Sequence, residues 1–312
     1  MSHAVAPWIL TEGLSGLQAQ AMGLAEACGL RAEVRVLRPA APWKWIAARL
    51  WPRPLSVVAD AVRAPLPDLA IGCGGMAAAV LAALRARGRP VVQVQNPRMD
   101  ISRFDLVVAN AHDGLTGPNV IVSRTALHRV TPERLAAEAA PWRDRFAALP
   151  RPLVAVLLGG SNGRYRLDTA AGAKLAGDLA TMMRRDNVGV MVTPSRRTDP
   201  AVTSLVAESI QPLGGYVWDG TGDNPYFGML ALADLIVVTQ DSVSMISEAA
   251  ATDVPVMIAE LPGRARRHEA FLKLMRDEDR VRLFDGRFAS WSVTPLNDTP
   301  LAAAMVRQRL GF

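Results

Sequence analysis

The chain has 312 residues, half of them apolar, with a net charge of +6, two cysteines and four histidines. That length and apolar content suit two ordinary domains. Two cysteines exclude a disulfide scaffold, and His3, His112, His128 and His268 are too scattered for a zinc spacing, so no metal is expected.

No apolar run approaches the ~20 residues of a bilayer span. The start, MSHAVAPWILTEG, lacks the basic-then-apolar profile of a leader peptide, which sets the expectation of a cytoplasmic protein. Residues 1–150 hold 17 Lys and Arg against 11 Asp and Glu, whereas 151–312 hold 18 against 18. The whole excess therefore falls in the first half, which points that half at an anionic partner. Nucleic acid is not among the partners expected.

In chain order, the first half offers strand-like runs at 8–10, 32–37, 69–72, 91–94, 106–109 and 120–122. The second offers 153–158, 188–193, 216–218, 235–239, 256–259 and 281–284. Amphipathic segments at 15–28, 76–87, 132–148, 168–185, 199–209, 243–251 and 265–276 fall between most of them. This alternation predicts an α/β protein with two Rossmann-like, doubly wound parallel sheets facing a cleft. The prolines of ALPRPLV (148–154) place the boundary between a first domain, 1–149, and a second, 150–297. A last helix, 298–312, is free to cross back to the first.

One early segment is set apart. In APWKWIAARLWPRPL (41–55) Trp43, Ile46, Ala47 and Leu50 recur at helical spacing, flanked by Trp45, Trp51, Lys44, Arg49 and Arg53. An amphipathic helix from Trp43 to Arg53 would suit a membrane surface or a lipid-linked acceptor, and so a peripheral place at the inner membrane face. A helix packed on its own domain would look the same.

In doubly wound sheets ligands lie beyond the carboxyl ends of the strands, and polar residues collect there. After the strand at 153–158 comes LLGGSNGRYRL, where Gly159, Gly160 and Gly163 permit close backbone approach and positive φ. Ser161, Asn162 and Arg164 there could meet a phosphate. After 188–193 comes TPSRRTDP, with Thr193, Ser195, Arg196 and Arg197. After 216–218, Asn224 and Tyr226 could sit beside a base. After 235–239 stands TQDSVSMISEAA, with Thr239, Asp241, Ser242, Ser244, Met245 and Glu248. A cap explains one hydroxyl there. The rest read as a nucleotide-diphosphate seat, with Glu248 one turn on to accept a ribose diol. In the first half Glu12, His112 and Asp113 are the candidate general bases, the choice among them open.

These residues resemble the GT-B glycosyltransferases, in particular the N-acetylglucosaminyl transferase of peptidoglycan lipid synthesis. Nearly the whole chain is similar to the mitochondrial fission Elm family, through GLSGLQAQAMGLAEACG, RFDLVVANAHDGLTGPNVIVSRTALHRV, VLLGGSNGRY, TPSRRT, NPYFGMLALAD and TQDSVSMISEAA. The resemblance implies a GT-B fold that needs no catalytic metal or bound cofactor. It also implies a nucleotide-diphosphate sugar as donor substrate. The family's first loop often carries an acid and then a histidine, where this chain has Glu12 and Leu17. The function expected is a nucleotide-sugar-dependent glycosyltransferase with a membrane-associated or anionic acceptor. The alternatives are an epimerase or hydrolase of the same fold, and a non-catalytic membrane-surface adaptor, since plant members of that family recruit a division GTPase to mitochondria.

Overall fold

The computed structural model describes residues 7–312. His3 and the first six residues of the leader-peptide reading lie outside that range. By internal contacts the chain divides into two units, 1–129 with 297–312, and 130–296.

The first unit is built on strands β1 (Pro7–Thr11), β2 (Glu33–Val36), β3 (Leu69–Cys73), β4 (Val91–Val94), β5 (Leu106–Asn110) and β6 (Val120–Ser123). They pair in parallel in the order β2-β1-β3-β4-β5-β6. β1, β3, β4 and β5 are buried along their whole length, as strands covered on both faces must be. Helices α1 (Ser15–Ala27), α2 (Pro54–Val57) and α3 (Gly75–Arg85) flank the sheet. One core packs Trp8, Leu10, Leu81 and Phe104 on one face, and a second packs Ile9, Leu24, Ile71 and Val108 on the other. The last helix of the chain, α10 (Thr299–Leu310), also belongs to this unit and packs on α1 and β6. Buried Asp298, just before it, accepts from Arg124 N (2.6 Å) and Nη2 (2.7 Å), which ties it to the end of β6.

The segment after β2 is not the amphipathic helix its periodicity predicts. It forms two separate 3-10 turns, Trp43–Trp45 and Ala48–Leu50, before the short α2. The break falls at Ile46 and Ala47, whose ψ values of 129° and 126° are extended, and Pro52 and Pro54 bar any helix from continuing past Trp51.

The second unit carries α4 (Pro132–Phe146), β7 (Leu153–Leu158), α5 (Thr169–Asp186), β8 (Gly189–Pro194), α6 (Pro200–Ile210), β9 (Tyr216–Val217) and α7 (Tyr226–Leu232). β10 (Leu235–Thr239), α8 (Val243–Ala250), β11 (Val256–Ala259), α9 (Arg266–Asp277) and β12 (Val281–Leu283) follow. The strands pair in parallel in the order β12-β11-β10-β7-β8-β9. Counted within the unit, this is the strand order of a dinucleotide-binding sheet, with its reversal between the first strand, β7, and the fourth, β10.

The sequence places α4 in the first domain and the boundary after it, at ALPRPLV, but contacts group α4 with the second unit, Val130–Leu296. Trp142 and Phe146 of α4 are buried in the core that also holds Leu153, Met229 and Ile246. A Cβ on Gly228 of α7 would lie 2.3 Å from Trp142 Cδ1, so α7 lies directly against the indole. The prolines mark only the turn from α4 into β7. That turn is fastened by Asp234 Oδ2, which accepts from Leu153 N at 2.7 Å.

The short α8 is held at its carboxyl end by Arg280, which is 2% exposed. Its guanidinium donates to the carbonyls of Ala249, Ala250, Thr252 and Val254. Ala249 and Ala250 are in the last turn of α8, where helix carbonyls lack partners within the helix, Thr252 and Val254 lie in the loop that follows, and burial lowers the Arg280 pKa to about 10. Among the described residues no helix is long and apolar enough to cross a membrane.

Candidate functional site

At the strand-order reversal of the second unit, the loops after β7, β8 and β10 meet. Thr239 Oγ1, at the end of β10, accepts from Gly159 N (2.7 Å) and donates to Asp241 Oδ1 (2.8 Å). Asp241 Oδ2 accepts from Gly160 N (3.0 Å) and from Arg197 Nη2 (2.7 Å). Arg197 Nη1 donates to Gly160 O at 3.0 Å, and Ser195 Oγ donates to Gly159 O at 2.8 Å. Thr198, a candidate helix cap in sequence, instead turns its hydroxyl to Gly159 O, and Asp199 caps the helix.

The Asp241 side chain is fully buried. Such a carboxylate is held only if its oxygens are satisfied, and here Thr239, Gly160 and Arg197 do so. Thr239, Asp241, Ser195 and Arg197 therefore brace three loops against one another. The sequence reads their polar groups as ligand contacts, and the structure shows those groups engaged within the protein. Thr193 lies buried in β8.

The brace also explains the glycines. A Cβ on Gly159 would stand 2.1 Å from Asp241 Oδ1, and one on Gly160 would stand 2.1 Å from Arg197 O. Neither they nor Gly163 adopts positive φ. The pair is required by close approach, not by a left-handed turn. Beyond them the loop shapes itself: Asn162 Oδ1 accepts from Arg164 N and Tyr165 N, both at 2.9 Å, and Ser161 Oγ accepts from Leu167 N at 3.0 Å. Arg164 and Arg196 are exposed.

Past the brace, Ser242 caps α8 and its Oγ accepts from Met245 N at 3.4 Å. The Met245 side chain packs on the core. Ser244 and Glu248 lie one turn apart on the same helix face. Glu248 is only 8% exposed, and its Oε2 accepts from the Tyr226 hydroxyl at the start of α7. Burial raises its pKa from 4.5 to about 7, against the opposing pull of the Tyr226 bond and of the Arg134 charge. Arg134, which carries no sequence signal for this place, stacks its guanidinium 4.0 Å from the Phe227 ring centroid. Asn224 Oδ1 accepts from Tyr226 N at 3.0 Å, which sets the direction of α7. Helix α8 thus offers a positive helix end at Ser242, with Ser244 and, one turn on, a carboxyl whose pKa burial raises.

A cavity of about 440 Å³ opens elsewhere in this unit, beside β9 and lined by Arg145, Tyr216, Trp218, Asp219, Thr221 and Asp223. None of the residues selected from sequence lines it.

The first unit repeats the bracing at its own reversal, between β1 and β3. Glu12 Oε1 accepts from Met76 N at 2.8 Å, in the first turn of α3. Gly74, before that turn, has φ +102°, and a Cβ there would lie 2.9 Å from Glu12 Oε1. Buried Gln93 donates to Gly74 O and Val94 O. The bond to Met76 N engages Glu12 as a cap on α3. His112 and Asp113 sit half-buried in one 3-10 turn after β5, closed by Gly114. Among the described residues no group of three His, Cys, Asp or Glu side chains is placed to hold a metal ion.

Two Rossmann-like units with parallel six-stranded sheets define the GT-B class. A UDP-GlcNAc 2-epimerase of Methanocaldococcus jannaschii, solved with UDP-GlcNAc and UDP, superposes with a TM-score of 0.59 at 11% identity over 98% of this chain and 99% of that one. The mitochondrial fission ELM1 family matches residues 15–310, and the chain belongs to that family. The Arabidopsis thaliana mitochondrial fission protein ELM1 is 34% identical over 279 residues, which cover 78% of this chain and 64% of that protein. The chain thus spans less than two thirds of that relative's length. A UDP-N-acetylglucosamine–N-acetylmuramyl-(pentapeptide) pyrophosphoryl-undecaprenol N-acetylglucosamine transferase of Halorhodospira halophila is 27% identical, over 84% of this chain and 71% of that one.

Proposed function

We propose that the protein binds a nucleoside-diphosphate sugar at the strand-order reversal of its second unit and acts on the sugar while it is bound, by epimerisation or hydrolysis. The observation that carries this reading is Glu248, a nearly buried carboxyl one turn into α8, with Ser244 on its face and Ser242 at the helix start. The diphosphate lies over the helix end, where N–H groups and the dipole favour negative charge. Ser161, Arg164 and Arg196 complete its surroundings. Glu248 Oε1 takes a ribose hydroxyl while Tyr226 holds Oε2. When the bond from the anomeric carbon to the diphosphate oxygen breaks, its electron pair passes to the diphosphate, which the helix end and the arginines stabilise. In hydrolysis a water oxygen forms the new bond to that carbon and His112 or Asp113, as base, takes the water proton. In epimerisation the same base takes the proton from the neighbouring C2, a C1–C2 double bond forms, and the diphosphate re-adds after C2 is reprotonated on its other face. Glu12 ranks behind His112 and Asp113 because it already caps α3. The UDP and UDP-GlcNAc held by the Methanocaldococcus jannaschii enzyme support a uridine nucleotide as ligand.

Transfer to an acceptor is the second reading. It is favoured by the relationship to the Halorhodospira halophila transferase and by the exposed tryptophan segment, which suits an amphiphilic acceptor and a peripheral membrane place.

Calorimetry with UDP, GDP and CDP, followed by NMR of UDP-GlcNAc in the absence of any acceptor, tests the proposal. Inversion of the sugar or release of UDP supports action on the bound sugar. Tight binding without turnover favours transfer. Absence of binding by all three nucleotides overturns both readings and leaves a non-catalytic adaptor.

A further inference from the structure

The two 3-10 turns after β2 hold apolar side chains outward. Trp45 is 72% exposed, Leu50 65% and Ile46 37%. Scattered single exposures are ordinary on soluble proteins, but here three fall within six residues on two adjoining turns. The turns do not hang loose. Trp51 is 5% exposed, and its Nε1 donates to Trp43 O (3.3 Å) and Ile46 O (3.1 Å), which pins the first turn to the second. Trp43 and Ala48 pack inward on the core. The inward residues thus fix the outward ones.

Along the chain, Arg38, Lys44, Arg49 and Arg53 stand between Glu33, which is paired with Arg35, and Asp60, with no acid among them. Lys44 Nζ sits 4.4 Å from the Trp45 ring centroid, so a cation and an aromatic face are presented together. Exposed apolar side chains on a segment whose only charges are cations match a layer with anionic headgroups outside and hydrocarbon beneath.

We infer that residues 43–53 dock the first unit onto an anionic lipid surface, with Trp45, Ile46 and Leu50 entering the interface and Lys44, Arg49 and Arg53 meeting headgroup phosphates. The segment leaves the carboxyl end of β2, where Leu37 N bonds Thr11 O at 2.8 Å, beside the loop that bears Glu12. Docking therefore brings that sheet edge towards the lipid, which gives the transfer reading a membrane-embedded acceptor. Only this last statement rests on the proposed function.

The test is co-sedimentation of the full chain with vesicles of phosphatidylcholine alone and with about 30% phosphatidylglycerol. Binding is expected only with the anionic lipid. It should fall by about tenfold or more in Trp45→Ser/Leu50→Ser, in Lys44→Ala/Arg49→Ala/Arg53→Ala, and at high salt. Brominated acyl chains should quench part of the tryptophan fluorescence, and Trp45→Phe should remove that quenching. Equal binding to both vesicles, no binding to either, unchanged binding of the Trp45→Ser/Leu50→Ser variant, or quenching that survives Trp45→Phe would overturn the inference. UDP calorimetry on the same variants is a separate readout. Loss of vesicle binding with nucleotide binding intact confines the result to the docking surface. Absence of nucleotide binding in the unaltered chain bears on the enzyme reading alone.

Discussion

Replacing Glu248 by Gln should change how stability depends on pH, in a direction the structure fixes. Burial lifts the Glu248 pKa from 4.5 to about 7. A carboxyl whose pKa is raised by folding holds its proton more tightly in the folded state. The folded state is therefore penalised as pH rises from 4.5, and the penalty is complete above about 7. Each pH unit by which folding raises a pKa corresponds to about 1.4 kcal/mol, so the penalty at neutral pH is at most about 3 kcal/mol. Gln keeps an oxygen for the Tyr226 hydroxyl and carries no charge to desolvate. Urea unfolding of the two chains at a series of pH values, followed by far-ultraviolet circular dichroism, reads the difference. Other titrating groups are common to both chains and cancel. The stability difference between Glu248→Gln and the unaltered chain should rise by about 2–3 kcal/mol in favour of Gln from pH 4.5 to pH 8. A difference that stays level within about 0.5 kcal/mol would refute the account of a desolvated carboxyl.

Three further outcomes follow from the same geometry. Gly159→Ala places a methyl 2.1 Å from Asp241 Oδ1 and should cost about 3 kcal/mol by urea unfolding, because the braced loops must part. Glu12→Gln retains an acceptor for Met76 N and should leave the melting temperature nearly unchanged, whereas Glu12→Ala should lose about 1 kcal/mol. If Glu12→Gln abolishes turnover while the fold stands, the carboxyl is a base after all. Burial depresses the His128 pKa from 6.5 to about 4, so its share of stability is complete above 6.5 and drains away as pH falls towards 4. His128→Gln should remove that acid-side loss, up to about 3 kcal/mol, from the unfolding profile.

The strands were legible because each is a short buried run bounded by turn residues. Leu235–Thr239 reads as a fully buried strand from its residues alone, and it is one. The reversal between β7 and β10 was not legible, since strand order depends on which runs pair, yet the polar loops it selects were. The tryptophan segment keeps helical spacing across an extended break at Ile46 and Ala47 that its residue pattern does not declare. The tasks of Thr239 and Asp241 were hidden because their partners lie about 80 residues away, at Gly159 and Gly160. A hydroxyl beside a glycine turn looks the same in sequence whether it will meet a phosphate or a neighbouring loop. Trp142 shows the same limit for α4, whose amphipathic pattern declares a buried face without saying which sheet covers it.

The loop brace also separates two kinds of evidence about descent. Gly159, Gly160, Thr239 and Asp241 fit one another so closely that a copy of this chain which had abandoned all chemistry would still need them to stand up. Their survival in a kinsman therefore testifies to architecture. Erosion of a retired enzyme should begin where nothing internal is at stake, at exposed groups such as Arg164 and Arg196.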